Sequence, residues 1–200
     1  MKLYFSPASP FSRKVRVVAR ELGLKLEEIN TASRGNMEFR RVNPLGKIPA
    51  LALDDGSVLF DSPVICEYLN ARGGGKFFPG ASMWRDNTGR WKALVLQALG
   101  DGLMEAALGR VYEVRLRPPE LRSEAIDANN NSVINSSLDA LERIKFAKPP
   151  TIGEIAVGCA LGYLDFRLGE LNWRDGRPKL AAWYEEFSQF ESMKATAPGA

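Results

Sequence analysis

The residues best placed to do chemistry lie near the start of the chain, in Ser6-Pro7-Ala8-Ser9-Pro10-Phe11-Ser12-Arg13. The segment follows a short apolar run, Leu3-Tyr4-Phe5, and precedes an amphipathic run ending near Leu22. Ser9 occupies the position of a helix N-cap and Pro10 the first helical position. A helix start presents free backbone N–H groups and the positive end of a dipole, so it favours a bound anion. The chain contains no histidine. That excludes a Ser-His-Asp triad, a Cys-His pair and any histidine-containing metal site. Cys66 and Cys159 are far apart and form neither a CxxC pair nor a disulfide framework. Chemistry must come from hydroxyls, carboxylates, Lys or Arg, backbone groups or a borrowed cofactor. No metal is expected.

The elements that must position these residues follow from composition and pattern. The 200 residues suffice for one large domain or two small ones, and 45% hydrophobic with 26% charged residues fits a soluble globular protein. No window reaches the roughly 18 consecutive apolar residues of a membrane span, and no export signal precedes the first polar turn. Two isolated cysteines fit a reducing setting, so a cytoplasmic location is expected, with no membrane association. The net charge is +3, and residues 1–80 carry 12 Lys and Arg against 8 Asp and Glu. No basic run is long enough for a nucleic-acid patch, so no nucleic-acid partner is expected. A mildly basic first portion suits a small anionic ligand, though ordinary surface charge explains it equally.

Residues 2–5 predict a short buried strand. Phe11, Val15, Val18 and Leu22 fall on one helical face, and Gly23 ends that helix. A second strand is expected over 24–29, a loop over 30–36, and one or two helical turns over 37–42. Asn43-Pro44-Leu45-Gly46 is turn chemistry. Strands over 48–53 and 58–60 flank a hairpin turn at Asp54-Asp55-Gly56-Ser57, and Asp61-Ser62-Pro63 opens another helix. The first 72 residues therefore read strand-helix-strand-helix-strand-strand-helix. Gly73-Gly74-Gly75 and Pro79-Gly80 mark a linker. The remainder lacks strand character. A long helix carries Trp91 to Val111 and stops at Pro118-Pro119. A second runs over about 120–144, where Asn129-Asn130-Asn131 marks a solvent face or a kink. Thr151 and Glu154 form a capping box for a helix reaching Leu164, in which Ala156, Gly158, Ala160 and Gly162 predict close packing. A last helix is expected over 178–190, with an irregular tail over 194–200.

Ser9-Pro10-Phe11, Ile48-Pro49 and Asp61-Ser62, in that order, resemble the cytosolic glutathione transferases, bacterial and of the serine type. Asn43-Pro44-Leu45-Gly46-Lys47-Ile48-Pro49 resembles that family's Asn-Pro-x-Gly-Lys/Arg-Val/Ile-Pro segment, and Thr151 to Glu154 its central-helix capping box, with Glu in place of the usual Asp. The resemblance covers nearly the whole chain. It implies a thioredoxin-like α/β N-terminal domain (βαβαββα) over 1–75 and an all-helical C-terminal domain over 84–200. It also implies glutathione as co-substrate, a small hydrophobic electrophile as its partner in reaction, and a homodimer.

Residue by residue, the resemblance makes Ser9 the catalytic donor to the glutathione sulfur. A free thiol ionises near about pH 8.5, and lowering that by two units needs roughly 2.7 kcal/mol. One hydrogen bond to a charged group, roughly 1.5–3 kcal/mol, supplies much of it. Serine cannot form the mixed disulfide of Cys-Pro-Phe relatives, which points to transferase or peroxidase-like chemistry. Pro49 is expected to be cis, leaving the Ile48 backbone to pair with the tripeptide as a strand would. Ser62 and its helix N-terminus would take the γ-glutamyl carboxylate and Asp61 the ammonium, while Arg41 and Lys47 would take the glycyl carboxylate. Each residue also has a plain structural explanation: cap, strand-start proline or solvated surface charge. Ser6 and Ser12 compete with Ser9 for the sulfur. Phe11 is counted with the glutathione-binding residues; together with Leu103, Met104, Ala107 and Tyr112 it is also a candidate wall of the electrophile pocket, and Cys66 and Cys159 are expected to be buried packing residues. Two other readings stay open: a non-catalytic glutathione-binding or stress-regulatory protein, and a glutathione-dependent lyase or isomerase.

Overall fold

The computed structural model describes residues 1–31, 35–80 and 88–198. A four-stranded mixed sheet lies in the order β2-β1-β3-β4, from β1 (Lys2–Phe5), β2 (Glu27–Asn30), β3 (Ala50–Ala52) and β4 (Val58–Leu59). β1 runs parallel to β2 and antiparallel to β3, and β3 is antiparallel to β4. With α1 (Pro10–Glu21), α2 (Phe39–Val42) and α3 (Ser62–Arg72), this is the expected thioredoxin-like βαβαββα order. An all-helical region follows: α4 (Thr88–Leu116), α5 (Glu124–Glu142), α6 (Ile152–Arg167), α7 (Pro178–Phe187) and α8 (Glu191–Lys194). The expected loop at 32–34, the expected helical-domain start at residue 84 and the last two tail residues lie outside the described residues.

Several boundaries differ from expectation for local reasons. α1 closes with Gly23 N–H on Arg20 C=O and Leu24 N–H on Ala19 C=O, with Gly23 at φ +66°. This double closure uses Leu24, so β2 starts only at Glu27, opposite Lys2. β3 begins at Ala50, after Pro49, which has no N–H to give to the ladder; the Ile48-Pro49 peptide is cis. A separate 3-10 turn, Pro119–Leu121, delays α5 to Glu124. The asparagine run leaves α5 unbroken: Asn129 faces solvent, and Asn131 approaches Arg110 of α4. α7 stops at Phe187, and the turn of helix α8 was not expected from the pattern.

The predicted linker is packed. Between its glycines and Pro79, Phe77 and Phe78 are buried. Asn70 accepts from Phe77 N–H at 2.7 Å, and Phe77 C=O accepts from Ile152 N–H at 3.0 Å. This chain of bonds joins α3, the linker and the start of α6. The capping box forms as expected, with Thr151 and Glu154 exchanging hydrogen bonds. α6 is buried from Ile152 to Leu164 and is the axis of the core. Its small residues do what their sizes suggest. A Cβ on Gly158 would lie 2.5 Å from the Phe187 ring, and Gly100 of α4 sits hard against the Ala156 backbone. α4 and α6 run parallel, since Leu96 meets Gly153 while Gly100 meets Ala156.

Candidate functional site

The sheet topology gathers the three motif segments at one end. β1 and β4 are both antiparallel to β3, so the C-terminal ends of β1 and β4 lie beside the N-terminal end of β3. Ser9 follows β1, Ile48-Pro49 precedes β3, and Asp61-Ser62 follows β4. Three stretches separated by dozens of residues therefore meet along one edge, with two helix N-termini, those of α1 and α3, pointing at it.

Ser9 is the N-cap of α1 and half-buried. Its Oγ accepts from Ser12 N–H at 3.2 Å, and its carbonyl accepts from Arg13 N–H at 3.0 Å. The hydroxyl proton of Ser9 has no acceptor among the described residues. The two rival serines are placed differently. Ser6 Oγ accepts from Ala8 N–H, while Ser12 is fully buried with its Oγ unpartnered. Ser12 is therefore closed to a ligand approaching from solvent. Capping and donation are compatible at Ser9, because the cap uses a lone pair and leaves the proton.

Ile48-Pro49 is cis, with Pro49 buried and Ile48 half-buried. The preceding loop is held by Asn43, which is buried. Its Nδ2 donates to Lys47 C=O at 2.6 Å and its Oδ1 accepts from Leu45 N–H at 3.1 Å. Turn chemistry alone did not assign Asn43 this part, although its type and place in Asn-Pro-x-Gly are the signal. Arg41 and Lys47 are exposed and carry no ion pair among the described residues. Arg40, not a candidate, folds over Gly46 and reaches Pro44 C=O.

Asp61 is the N-cap residue of α3, but its side chain makes no cap bond and is exposed. Ser62, in the first turn, is 1% exposed. The first amides of α3 thus keep their donors free. The Phe60-Asp61 peptide is also cis.

Behind Ser9, α1 is pinned into the helical region by two charges the motif reading missed. Lys14 is fully buried and donates to Asp101 of α4. Arg13 is 5% exposed and donates to Met193 C=O at 2.9 Å. The Arg13 guanidinium also crosses α6 at Gly162, where a Cβ would come within 2.2 Å of it. Long cationic side chains on the apolar face of α1 give no sequence signal of burial. Only the helix spacing placed them inward.

The candidate electrophile walls divide. Phe11 is partly buried against the core and Tyr112 is exposed. Leu103, Met104 and Ala107 are fully enclosed between helices, so they are core rather than pocket wall. Apolar residues at helical spacing look the same in both roles. Cys66 and Cys159 are buried as expected, and burial pushes their thiols up to about 12 and about 11.

Residues 8–72 match the glutathione S-transferase N-terminal domain and residues 124–186 the C-terminal domain. An Escherichia coli (strain K12) protein, the uncharacterized GST-like protein YibF, is 36% identical over 99% of this chain and 98% of its own. The chain belongs to the glutathione S-transferase family. Among solved structures, a glutathione transferase family member from Pseudomonas fluorescens Pf-5 with bound glutathione is 42% identical. It covers 100% of this chain and 99% of its own, with a TM-score of 0.90. A second structure of a Pf-5 family member, with bound S-(propanoic acid)-glutathione, is also 42% identical, over 98% of each chain, with a TM-score of 0.86. In this family member, the cis proline and the two helix starts are the parts that converge at the sheet edge. No helix among the described residues is long and apolar enough to cross a membrane.

Proposed function

We propose that this transferase binds glutathione at that sheet edge, holds it as thiolate against Ser9, and presents it to a small electrophile. The observation that carries this reading is the convergence of the Ser9 hydroxyl, the Ile48 backbone beside cis Pro49, and the amide-rich start of α3 at Ser62. The free Ser9 proton supplies the hydrogen bond to sulfur, and the α1 dipole adds to it. Ile48 pairs with the cysteinyl backbone. Ser62 and the α3 amides take the γ-glutamyl carboxylate, and the uncapped Asp61 carboxylate takes the ammonium. Arg41 and Lys47, exposed and without an ion pair among the described residues, take the glycyl carboxylate. Thiolate stabilisation and proximity supply the acceleration. The glutathione-bound relative at 42% identity supports the ligand, and the S-substituted one supports a site with room beyond the sulfur. The working unit is a homodimer, with the glutathione domain over 1–75 and the helical domain over 84–200.

The test replaces Ser9 with Gly, which costs a cap only a few tenths of a kcal/mol, and with Thr, which keeps the hydroxyl. Turnover of a nitroaryl chloride and the ultraviolet absorbance of bound thiolate are both read. Ser9→Gly should lower kcat/KM by about 10- to 100-fold and raise the bound thiol pKa, with Ser9→Thr intermediate. Unchanged turnover and thiol pKa in Ser9→Gly would remove Ser9 from the mechanism. Retained glutathione binding with no turnover in the parent would favour the non-catalytic reading.

A further inference from the structure

Arg13 carries a buried positive charge that no acid among the described residues neutralises. We infer that this guanidinium, one turn into the helix that Ser9 caps, favours the glutathione thiolate through its charge, without touching the sulfur. This rests on the reading above, in which the sulfur lies against Ser9, and adds a residue to that site.

The Arg13 side chain is 5% exposed. Its Nη2 donates to Met193 C=O at 2.9 Å, while Nε and Nη1 are enclosed with no hydrogen-bond partner. A backbone carbonyl is not a counter-ion. The titratable groups around it add no negative charge at neutral pH. Burial pushes Cys159 of α6 up to about 11 and raises Tyr184 of α7 as well, so both stay protonated. Asp165, three residues past Gly162 on α6, is committed to Arg174 and to the Trp173 indole. The adjacent Lys14 is different, because Asp101 at 2.6 Å offsets its charge. A close pair has a field that fades quickly, whereas the lone charge of Arg13 acts at longer range where water screens it little. An unpaired buried charge costs stability until an anion comes near it. The bound thiolate is that anion.

Helix geometry puts the charge on the Ser9 side of α1. Ser9 C=O accepts from Arg13 N–H at 3.0 Å, so the two residues stack on one face, about 6 Å apart along the axis. The Cα–Cβ bonds of a helix tilt toward its N-terminus, so the Arg13 side chain leaves α1 toward Ser9. Gly162 of α6 admits the guanidinium, since a Cβ there would collide with Nη1. The hydrogen bond from Ser9 acts on sulfur at contact, and Arg13 adds to it from within the protein. The sign is fixed: a cation favours the charged form and lowers the thiol pKa. At this range a buried unit charge changes the thiolate fraction roughly tenfold.

The test measures the pKa of glutathione bound to the parent, Arg13→Gln and Arg13→Lys, from thiolate absorbance. The glutamine keeps a donor for Met193 C=O and loses the charge, whereas the lysine keeps the charge. Arg13→Gln should hold about tenfold less thiolate at neutral pH, and Arg13→Lys should recover much of it. The kcat/KM of Arg13→Gln with a nitroaryl chloride should fall about tenfold below the thiol pKa and return toward the parent's value at alkaline pH. A purely structural Arg13 would lower activity equally at every pH. An Arg13→Gln variant that binds glutathione with the parent's thiol pKa would overturn the inference. The parent gives a second reading that does not depend on the glutamine variant folding. With isotopically labelled arginine, the guanidinium NMR signal missing from Arg13→Lys should shift as the bound thiol titrates. It should stay fixed with S-methylglutathione, which has no thiol proton. A signal that ignores the titration would equally overturn the inference. A parent that fails to bind glutathione, or binds it with an ordinary thiol pKa, would overturn the functional reading and the role of Arg13 with it.

Discussion

Lys14 of α1 donates to both carboxylate oxygens of Asp101 of α4, at 2.6 and 2.7 Å, with the lysine side chain fully enclosed. The pair ties the helix that Ser9 caps to the helical region. Burial, opposed by Lys14, holds the Asp101 carboxyl above its usual range, a sign of how much solvation the site gives up. Removing one partner leaves a buried charge uncompensated, so Lys14→Met should cost about 3–5 kcal/mol. The double variant Lys14→Met with Asp101→Leu should recover much of that loss. Urea unfolding of the parent, both single variants and the double variant measures it. An additive double variant would mean that the pair is uncoupled.

The two buried thiols give the protein an alkaline stability limit. Their folded values, about 12 for Cys66 and about 11 for Cys159, lie above the ordinary 9.0. The folded chain keeps both protonated where the unfolded chain ionises. Their contribution is therefore intact below pH 9.0 and is lost as pH rises through the window to about 12. The unfolding midpoint should fall across this window. The fall should be shallower in a Cys66→Ala, Cys159→Ala variant, although that variant is weaker at neutral pH. A thiol reagent should find neither cysteine in the native protein and both in denaturant.

Glu154 does more than close its capping box. Its carboxylate, 3% exposed, accepts from Thr151 N–H, the Thr151 hydroxyl and Ala147 N–H. Thr151→Ala removes one side of the cap and should cost about 1 kcal/mol. Glu154→Ala strands several buried donors and should cost about 2–3 kcal/mol, a drop of several degrees in Tm. Calorimetry that found the two variants equal would reduce Glu154 to an ordinary cap residue.

Exposed apolar side chains mark the surface for the proposed homodimer. Val64 of α3 with Trp91 and Val95 of α4 are 49%, 60% and 69% exposed, and the Arg90–Glu67 ion pair holds the two helices side by side. Trp91→Lys combined with Val95→Asp should convert a dimer to a monomer by light scattering. An unchanged mass would place the interface elsewhere.

The Ser9 and Thr151 caps, the Gly23 stop and the Asp54 to Ser57 turn were legible because each depends on residues within one or two turns of chain. Pro49 was legible as cis only through the resemblance, because a proline at a strand start serves equally well trans. The apolar stripe of α1 was legible, but not that Arg13 and Lys14 lie inward with it. Their partners, Met193 and Asp101, are far away in sequence. Leu103, Met104 and Ala107 could not be told from core for a related reason: periodicity marks an inward face but cannot say whether another helix or a cavity lies opposite.

By itself, the sequence determined the order of elements, the helix starts able to hold an anion, and the exclusion of histidine chemistry. These depend on local backbone geometry and on residue type. Only the tertiary structure decided that Ser9, Ile48-Pro49 and Ser62 share one sheet edge, because strand pairing sets it. The burial of Ser12 was decided in the same way, by which surfaces of the helices pack together.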